Sequence, residues 1–376
     1  MNKKIAILGA SYLQLPLVLK AKENNLEVHC FAWDDEKAVC KKFADYFYDI
    51  SVVETEKILE KSREIGINGI ATIATDVCIP TMAKIAKNLN LNGNSTECAN
   101  LTTNKGLMRS CFHENKIPSP KFKVINSDNE IEMDNLKFPV IVKPTDRSGS
   151  LGVTKIENPA TLKNAIEASI NFSLSKSCIV EEFITGAEVS VETISYKGQH
   201  KIITVTDKTI TKEPYFVELA HHQPSQHTDS IIERIHEIAV QILNATKVEN
   251  GASHIELKIT NDGNIYAIEI GSRMGGDFIG SDLVELSTGF DYLQAVIDVA
   301  LNRYKNDVQL KLNKFSGVYF LSKNTEKLLP YFDDYKKFNF DIIKKEIQNK
   351  ELIKVKSSND RSGFLIYQAN KKIDLL

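Results

Sequence analysis

Two glutamates set against each other in a hairpin are the strongest constraint this sequence places on its fold. The run His254-Ile255-Glu256-Leu257-Lys258-Ile259 alternates polar and apolar, as does Tyr266-Ala267-Ile268-Glu269-Ile270, with Asn261-Asp262-Gly263-Asn264 between them. Alternation flanking an Asp-Gly pair predicts two antiparallel strands joined by a tight turn. With Asp262 and Gly263 at the centre of that turn, Glu256 lies directly opposite Glu269, and Ile255, Leu257, Ile259, Ile268 and Ile270 fill the other face. Like charges opposed in a ladder are destabilising, so the pairing implies a dication or a bound cationic group between the carboxylates. A solvated sheet face, where water screens the repulsion, is the alternative. One or two carboxylates completed by substrate phosphates suit Mg²⁺. The segment that follows, Gly271-Ser272-Arg273-Met274-Gly275-Gly276-Asp277, favours the first reading. Its arginine offers a planar fork to phosphate or carboxylate, and its glycines let a ligand approach the backbone.

Composition narrows the class. A chain of 376 residues has room for two or three domains. Its 47 basic and 49 acidic residues give a net charge of -2 without a dominant block of either sign. Nucleic acid and anionic membrane are therefore not implied partners, and small-molecule chemistry is the expectation. The cysteines (Cys30, Cys40, Cys78, Cys98, Cys111 and Cys178) are widely spaced without a C-x-x-C pair. They read as reduced, buried thiols and point to the cytoplasm. Lys3-Lys4 and the apolar stretch to Leu19 imitate a signal peptide, but Ser11, Gln14 and Pro16 interrupt it. No other run approaches the roughly 18 apolar residues of a membrane span.

Three regions follow along the chain. Ile5 to Leu8 reads as a buried strand, Gly9-Ala10-Ser11 as a turn, then a helix to about Asn24 and a second strand from Glu27 to Trp33. This is the opening of a Rossmann-like α/β unit, although a lone Gly9 lacks the G-x-G-x-x-G needed to cradle a dinucleotide. Gly69 to Ala74 is another buried strand, followed by Thr75-Asp76 and a helix around Pro80 to Leu89, so residues 1–95 form one α/β domain. Residues 96–304 form the central domain, and 305–376 a small α+β part packing on it, with a strand at Phe315 to Phe320 and a turn into another at Asp360-Arg361-Ser362-Gly363.

Within the central region, Asn104-Lys105-Gly106 opens a helix that stops near Pro118. A β-rich run, Phe138 to Pro144, carries Lys143 at its end and passes into Arg147-Ser148-Gly149-Ser150-Leu151-Gly152-Val153. Successive N–H groups and hydroxyls beside a lysine can cradle phosphate oxygens, although the order is not that of a Walker A loop. Cys178 to Ile184 then leads into a strictly alternating strand with Glu188, Ser190 and Glu192 on one face.

The succession of lysine on a helix, strand with lysine, Gly/Ser loop, Glu181-Glu182-x-x-x-Gly186-x-Glu188 and a paired-glutamate hairpin with arginine resembles the ATP-grasp superfamily over roughly residues 1 to 300. Phe216-Val217-Glu218-Leu219-Ala220-His221 with Pro224-Ser225 is similar to its carboxylate-amine ligase branch, which includes bacterial L-amino-acid ligases. The resemblance implies an ATP-grasp fold in 96–304, with two subdomains clasping ATP, behind a Rossmann-like domain. It implies ATP and Mg²⁺, or Mn²⁺, as cofactors. Lys105 and Lys143 would contact the α- and β-phosphates, and Ser148, Gly149, Ser150, Gly152 and Val153 would close over the β- and γ-phosphates. Glu181, Glu182, Phe183 and Ile184 would hold adenine, and Glu188 the ribose. Glu256 and Glu269 would bind metal and Arg273 would steady the transferred phosphate, while Glu218 and His221 would line the substrate pocket. The implied activity is ADP-forming amide synthesis through an acyl-phosphate, on small-molecule carboxylate and amine substrates, in a homodimer.

Two departures stand out. Many members carry a metal-binding Asn where this chain has Gly271, and Asp277 stands where dipeptide-forming relatives place a bulky residue. Asp277 is read either as a partner for a cationic substrate or as a helix cap. A bicarbonate-using, carboxyphosphate-forming enzyme and a non-catalytic nucleotide-binding protein of the same fold are the alternatives. His254 is expected on the face of Glu256, and His222 and His227 in surface or loop positions.

Overall fold

A computed structural model describes residues 2–126, 136–147, 151–211, 213, 215–306, 309–310, 313–333 and 337–376. The N-terminal apolar run forms β1 (Lys4–Leu8), flanked in parallel by β2 (Glu27–Ala32) and, across the sheet, by Gly69–Ala71; Tyr46–Asp49 (β3) closes one edge and Gly69–Ala71 (β4) the other. A parallel sheet is buried on both faces, and β1 divides its side chains accordingly. Ile5 and Ile7 pack with Leu17, Val18 and Ala21 of helix Leu15–Glu23. Ala6 and Leu8 pack with Ile58 and Ile85 of the helices Thr55–Ile65 and Ile79–Leu89. The first cluster continues into Val296 and Ile297 of helix Tyr292–Ala300 and into Ile194 and Ala252, which joins this layer to the rest of the chain.

The next strands, β5 (Phe122–Asn126), β6 (Val140–Pro144), β7 (Thr154–Ile156) and β8 (Ser177–Glu182), form an antiparallel sheet in the order β5-β8-β6-β7. Leu162 and Ile166 of helix Leu162–Phe172 back it, packing with Val140, Val142 and Val180.

The largest sheet is antiparallel and contains β9 (Ala187–Tyr196), β10 (Gln199–Ile210), β11 (Glu218–Gln223), β12 (Gly251–Ile259), β13 (Ile265–Gly271), β14 (Phe315–Leu321), β15 (Asp341–Ile347) and β16 (Gly363–Ala369). Its order is β13-β12-β9-β10-β11-β14-β16-β15. Val189, Val191, Ile255 and Leu257 on one face pack against Ile235, Ala239 and Ile242 of helix Asp229–Ala245. Glu188, Ser190 and Glu192, cross-strand from Lys258, Glu256 and His254, occupy the other. The C-terminal strands extend this same sheet, edge to edge, through the pairing of β11 with β14.

The expected pairing of Glu256 with Glu269 is present, but the turn that produces it differs. Ile259 pairs with Ile265, leaving Thr260 to Asn264 as a longer connection, and a bulge after Glu256 then shifts the register by one residue. The two deviations cancel at the glutamates. The bulge exchanges the roles of Ala267 and Ile268: Ala267 joins the apolar core, whereas Ile268, expected there, lines the cleft.

Among the described residues no helix is long and apolar enough to cross a membrane. All six cysteines are free and buried. Burial pushes the Cys40 and Cys178 thiols up to about 12.

His222 was expected at the surface; it lies instead on β11 between strands that bury it, with Nδ1 3.0 Å from the Tyr367 hydroxyl. Burial, then the Lys372 and His221 charges, push it down to about 3 from an ordinary 6.5. The unfolded chain takes up a proton near pH 6.5 that the folded chain refuses until about 3, so this contribution to stability is complete above pH 6.5 and falls as the pH drops through that window. His222→Asn is expected to flatten the acid limb of stability by up to about 1.4 kcal/mol per pH unit. Urea unfolding of both proteins at pH 7, 6 and 5 measures the difference, and parallel acid limbs would refute it.

Candidate active site

One cleft lies between the smaller antiparallel sheet and the polar face of the larger one, with a wall from the N-terminal layer. Lys105, Lys143, Glu181, Glu188, Glu256, Glu269 and Arg273 all line it, as do Val153, Glu182, Phe183, Ile184 and Glu218. Ser148, Gly149 and Ser150 lie outside the described residues. Gly152 adopts φ +74° and packs beside Pro144 and Phe172.

Local sequence explains how the cationic groups are presented. Asn104 caps helix Lys105–Glu114 by accepting from the N–H groups of Gly106 and Leu107, which fixes Lys105 at the first turn. The Lys105 ammonium donates to Glu269 Oε1 at 2.8 Å and to the Arg147 carbonyl at 2.7 Å. Burial opposes that charge, but Glu269, with Asp76 and Glu181 nearby, raises the lysine above its ordinary value. Lys143, next to last in β6, pairs with Glu181 on β8. Arg109, one helical turn beyond Lys105, donates to the same carboxylate at 3.0 Å and to the Ile268 carbonyl at 2.7 Å. Burial lowers Lys143, and the Arg109 and Lys105 charges add to this against the pull of Glu181 and Glu269. Glu181 thus stands as the hub of a buried triad.

The metal-type carboxylates are each met by a lysine. Glu256 pairs with Lys208 of β10 and lies 3.3 Å from His254 Nε2. Burial favours its neutral form, but Lys208 and His254 hold it well below the usual carboxylate range. His254 occupies the expected face and pairs through Nδ1 with Glu192, whose other oxygen accepts from the Gly275 N–H at 3.1 Å. Burial works against a charged His254, yet Glu192 and Glu256 together raise it. Two opposed carboxylates on a cleft rich in lysine and arginine fit a hard dication completed by phosphate oxygens. Among the described residues no group of three or more acidic, His or Cys side chains forms a self-sufficient metal cage.

Arg273 leaves β13 and forms a two-point pair with Asp76 of the N-terminal layer, Nε to Oδ1 and Nη2 to Oδ2, both 2.9 Å. The Lys155 and Lys258 ammoniums lie 4.5 and 4.9 Å from the Phe183 ring centroid. Lys258 also lies 3.5 Å from Glu188. Burial, then Glu256 and Glu218, raise the Glu188 carboxyl against the pull of Lys208 and Lys258.

His221 is buried and its two ring nitrogens have no hydrogen-bond partner. The Asp277 carboxylate lies 3.7 Å from Nε2, too far for a hydrogen bond. Burial outweighs that neighbour and lowers the imidazole, keeping it neutral. Asp277 caps no helix: it accepts from Arg361 Nη1 at 2.7 Å, while Arg361 Nη2 donates to Glu218 Oε2 at 3.1 Å. Arg361 stacks on Phe320, its guanidinium carbon 3.7 Å from the ring centroid. Sequence reasoning assigned no role to Arg361, Asp76, Arg109 or Lys208. None of the four carried a local signal, since the stretch around Lys208, Val205-Thr206-Asp207-Lys208-Thr209, is polar on both faces.

Residues 136–282 match the ATP-grasp domain family. Alanine-anticapsin ligase of Bacillus amyloliquefaciens is 26% identical over 325 residues, covering 77% of this chain and 68% of that protein. D-alanine-D-alanine ligase of Flavobacterium johnsoniae is 27% identical over 185 residues, 46% of this chain and 56% of that one. Among solved structures, L-amino acid ligase from Bacillus licheniformis superposes with a TM-score of 0.78 at 21% identity, covering 98% of this chain and 93% of its own. The chain has the ATP-grasp fold. Its similarity runs to the carboxylate-amine ligases of that superfamily.

Arg109→Met removes one partner from the Glu181 triad. Breaking a buried ion pair from one side costs about 3 kcal/mol or more, so a lower denaturation midpoint at pH 7 is expected. An unchanged midpoint would mean that Lys143 alone suffices for Glu181.

Proposed function

We propose that the protein is an ATP-dependent, ADP-forming carboxylate-amine ligase that joins a carboxylic or amino acid to an amine through an acyl-phosphate, with a pair of L-amino acids as its substrates. The observation that carries this reading is Glu256 opposite Glu269 at the floor of a cleft holding Lys105, Lys143, Lys208 and Arg273. Glu256 and Glu269 would hold Mg²⁺, or Mn²⁺ in its place, which supplies charge neutralisation for the polyphosphate. Lys105 and Lys143 would meet the phosphates, and Arg273 the group in transfer. Ile141, Phe183, Ile184 and Ile268 give the cleft an apolar lining suited to a flat base, with Glu188 close by for the ribose.

The substrate carboxylate oxygen attacks the γ-phosphorus of ATP and ADP leaves. The amine then attacks the acyl carbon, and phosphate leaves as the C–N bond forms. Positioning and electrostatic stabilisation are the protein's contribution, and no protein nucleophile is needed. The amine gives up a proton in the second step, which a carboxylate such as Glu218, one of the residues lining the cleft, would accept if it does not only orient the substrate. His221, expected to line the pocket, is buried and is not among the residues lining the cleft, so any effect it has on the substrate would pass through the neighbouring Asp277. Six buried thiols support a cytoplasmic setting, and a homodimer is the assembly we expect.

ADP release from Mg²⁺-ATP, screened over pairs of amino acids and small acids with mass spectrometry of products, tests the reading. Release that requires a specific pair and disappears in Glu269→Gln is expected. Release driven by bicarbonate alone would replace the ligase with a carboxyphosphate-forming enzyme. Arg361→Gln is expected to raise KM for an amino-acid substrate about tenfold or more while leaving KM for ATP unchanged, because its contacts are to Asp277 and Glu218. Equal changes in both constants would place Arg361 outside the substrate pocket.

A further inference from the structure

The loop that carries Arg273 does not hold that side chain by itself. Asp76 arrives from the segment after β4, and the carboxylate meets the guanidinium edge on at two points of 2.9 Å each, both side chains being only 14% exposed. The two segments run together beyond this pair. Ala74 N–H donates to the Met274 carbonyl at 3.1 Å, and a Cβ on Gly276 would lie 3.3 Å from the Ala74 Cβ. Ala74 adopts φ +61°, a left-handed conformation that costs a residue with a Cβ about 1 kcal/mol or more. On the far side of the loop, Ser272 is tied to Thr102 by a 2.8 Å hydroxyl contact.

Gly271 is where the arrangement becomes specific to this chain. A Cβ at that position would stand 2.6 Å from Asp76 Oδ1 and 3.1 Å from Arg273 Nε. The atoms in the way belong to a buried two-point ion pair, which has no slack to give. Any side chain at 271 would therefore evict the Asp76 carboxylate or break its grip. Asp76 is also within electrostatic reach of Lys105 and His254, so it stands among the groups of the phosphate end of the cleft.

We propose that Asp76 is the positioning residue of Arg273, and that glycine at 271 admits its carboxylate, so that the N-terminal layer supplies a working part of the phosphoryl-transfer site. Arg273 has five N–H donors in a rigid plane. Asp76 takes one edge of that plane, which fixes the direction in which the remaining Nη donors point. The pair adds little to ground-state nucleotide affinity, because Asp76 carries the wrong charge to bind phosphate. Its effect belongs to the transfer step, where a misplacement of about 1 Å costs on the order of 100-fold. This inference rests on the ligase reading for its kinetic consequence, and on the geometry alone for the clamp.

The test compares the wild type with Asp76→Asn, Gly271→Ala and the double variant. Three quantities are read: ATP affinity by calorimetry, kcat and KM for ADP release, and the rate at which phenylglyoxal modifies Arg273, followed by peptide mass mapping. Each single variant is expected to lower kcat about 100-fold with ATP affinity nearly unchanged, and to speed modification of Arg273. The double variant should be no worse than Asp76→Asn, since both changes act through one contact. Wild-type kcat and modification rate in Asp76→Asn overturn the proposal, as do fully additive losses in the double variant. A wild type that releases ADP with no substrate pair defeats the ligase reading only, and the modification rates still decide the clamp. Should Asp76→Asn not fold, Gly271→Ala puts the same question from the other side of the contact.

Discussion

A carboxylate withdrawn from water must be paired or it will not stay ionised, and the cleft is laid out around that requirement. Glu181 has Arg109 and Lys143, Glu256 has Lys208, Glu269 has Lys105, Glu192 has His254, and Asp76 has Arg273. Almost every pair joins two different elements: helix Lys105–Glu114 to β8 and β13, β6 to β8, β10 to β12, and the N-terminal layer to the loop after β13. Such pairs contribute little net stability compared with apolar substitutes of the same volume. The apolar clusters behind the sheets supply the stability. The pairs fix the relative positions of the layers, because each charge has one partner that can satisfy it and misplacing either leaves both uncompensated.

The same arrangement sets the terms on which a polyphosphate enters. Before binding, the lysines are neutralised by carboxylates. On the proposed reading an incoming dication would take Glu256 and Glu269 and the phosphates would take Lys105, Lys143 and Lys208, so cation and anion would arrive as partners for groups that are partners of each other. Lys143 has most to gain. Burial and two neighbouring cations hold it below its ordinary value, and a phosphate beside it would offset what Glu181 alone does not.

The sequence revealed local periodicities and concealed long-range partners. The opposed glutamates were legible because strand alternation has a period of two and any odd or even slip changes the face. The turn between them was misread, and the pairing survived only because a longer connection is offset by the bulge at Ile268. Glu188, Ser190 and Glu192 fell on one face as expected, but nothing in that strand tells a solvated face from a cleft floor; Ser190 and Glu192 are fully buried. Asp76, Arg109 and Arg361 gave no sign of their roles because each acts on a residue far away in sequence. Gly271 looked like a loss of a metal ligand when read along the chain, and in space it is the room taken by Asp76.

The division of labour inside the cleft follows from where its parts originate. Groups suited to the nucleotide come from β6, β8, β9 and the segment Phe183-Ile184, all in the matched ATP-grasp region. The other end is assembled from three parts of the chain. Glu218 and Asp277 belong to the central region, Arg361 comes from the turn before β16, and Tyr12 comes from the turn after β1. Burial raises the Tyr12 hydroxyl, and the opposed fields of Asp277 and Arg361 act on it as well, which brings all four into one electrostatic neighbourhood. Because β14 and β16 share a sheet with β11, the C-terminal strands cannot move as a loose cover without disturbing Glu218 and His221. On the proposed reading, substitutions at Tyr12, Asp277 and Arg361 would retune the acceptor end and leave Lys105, Lys143 and Arg273 in place, provided the charge at Glu218 remains matched.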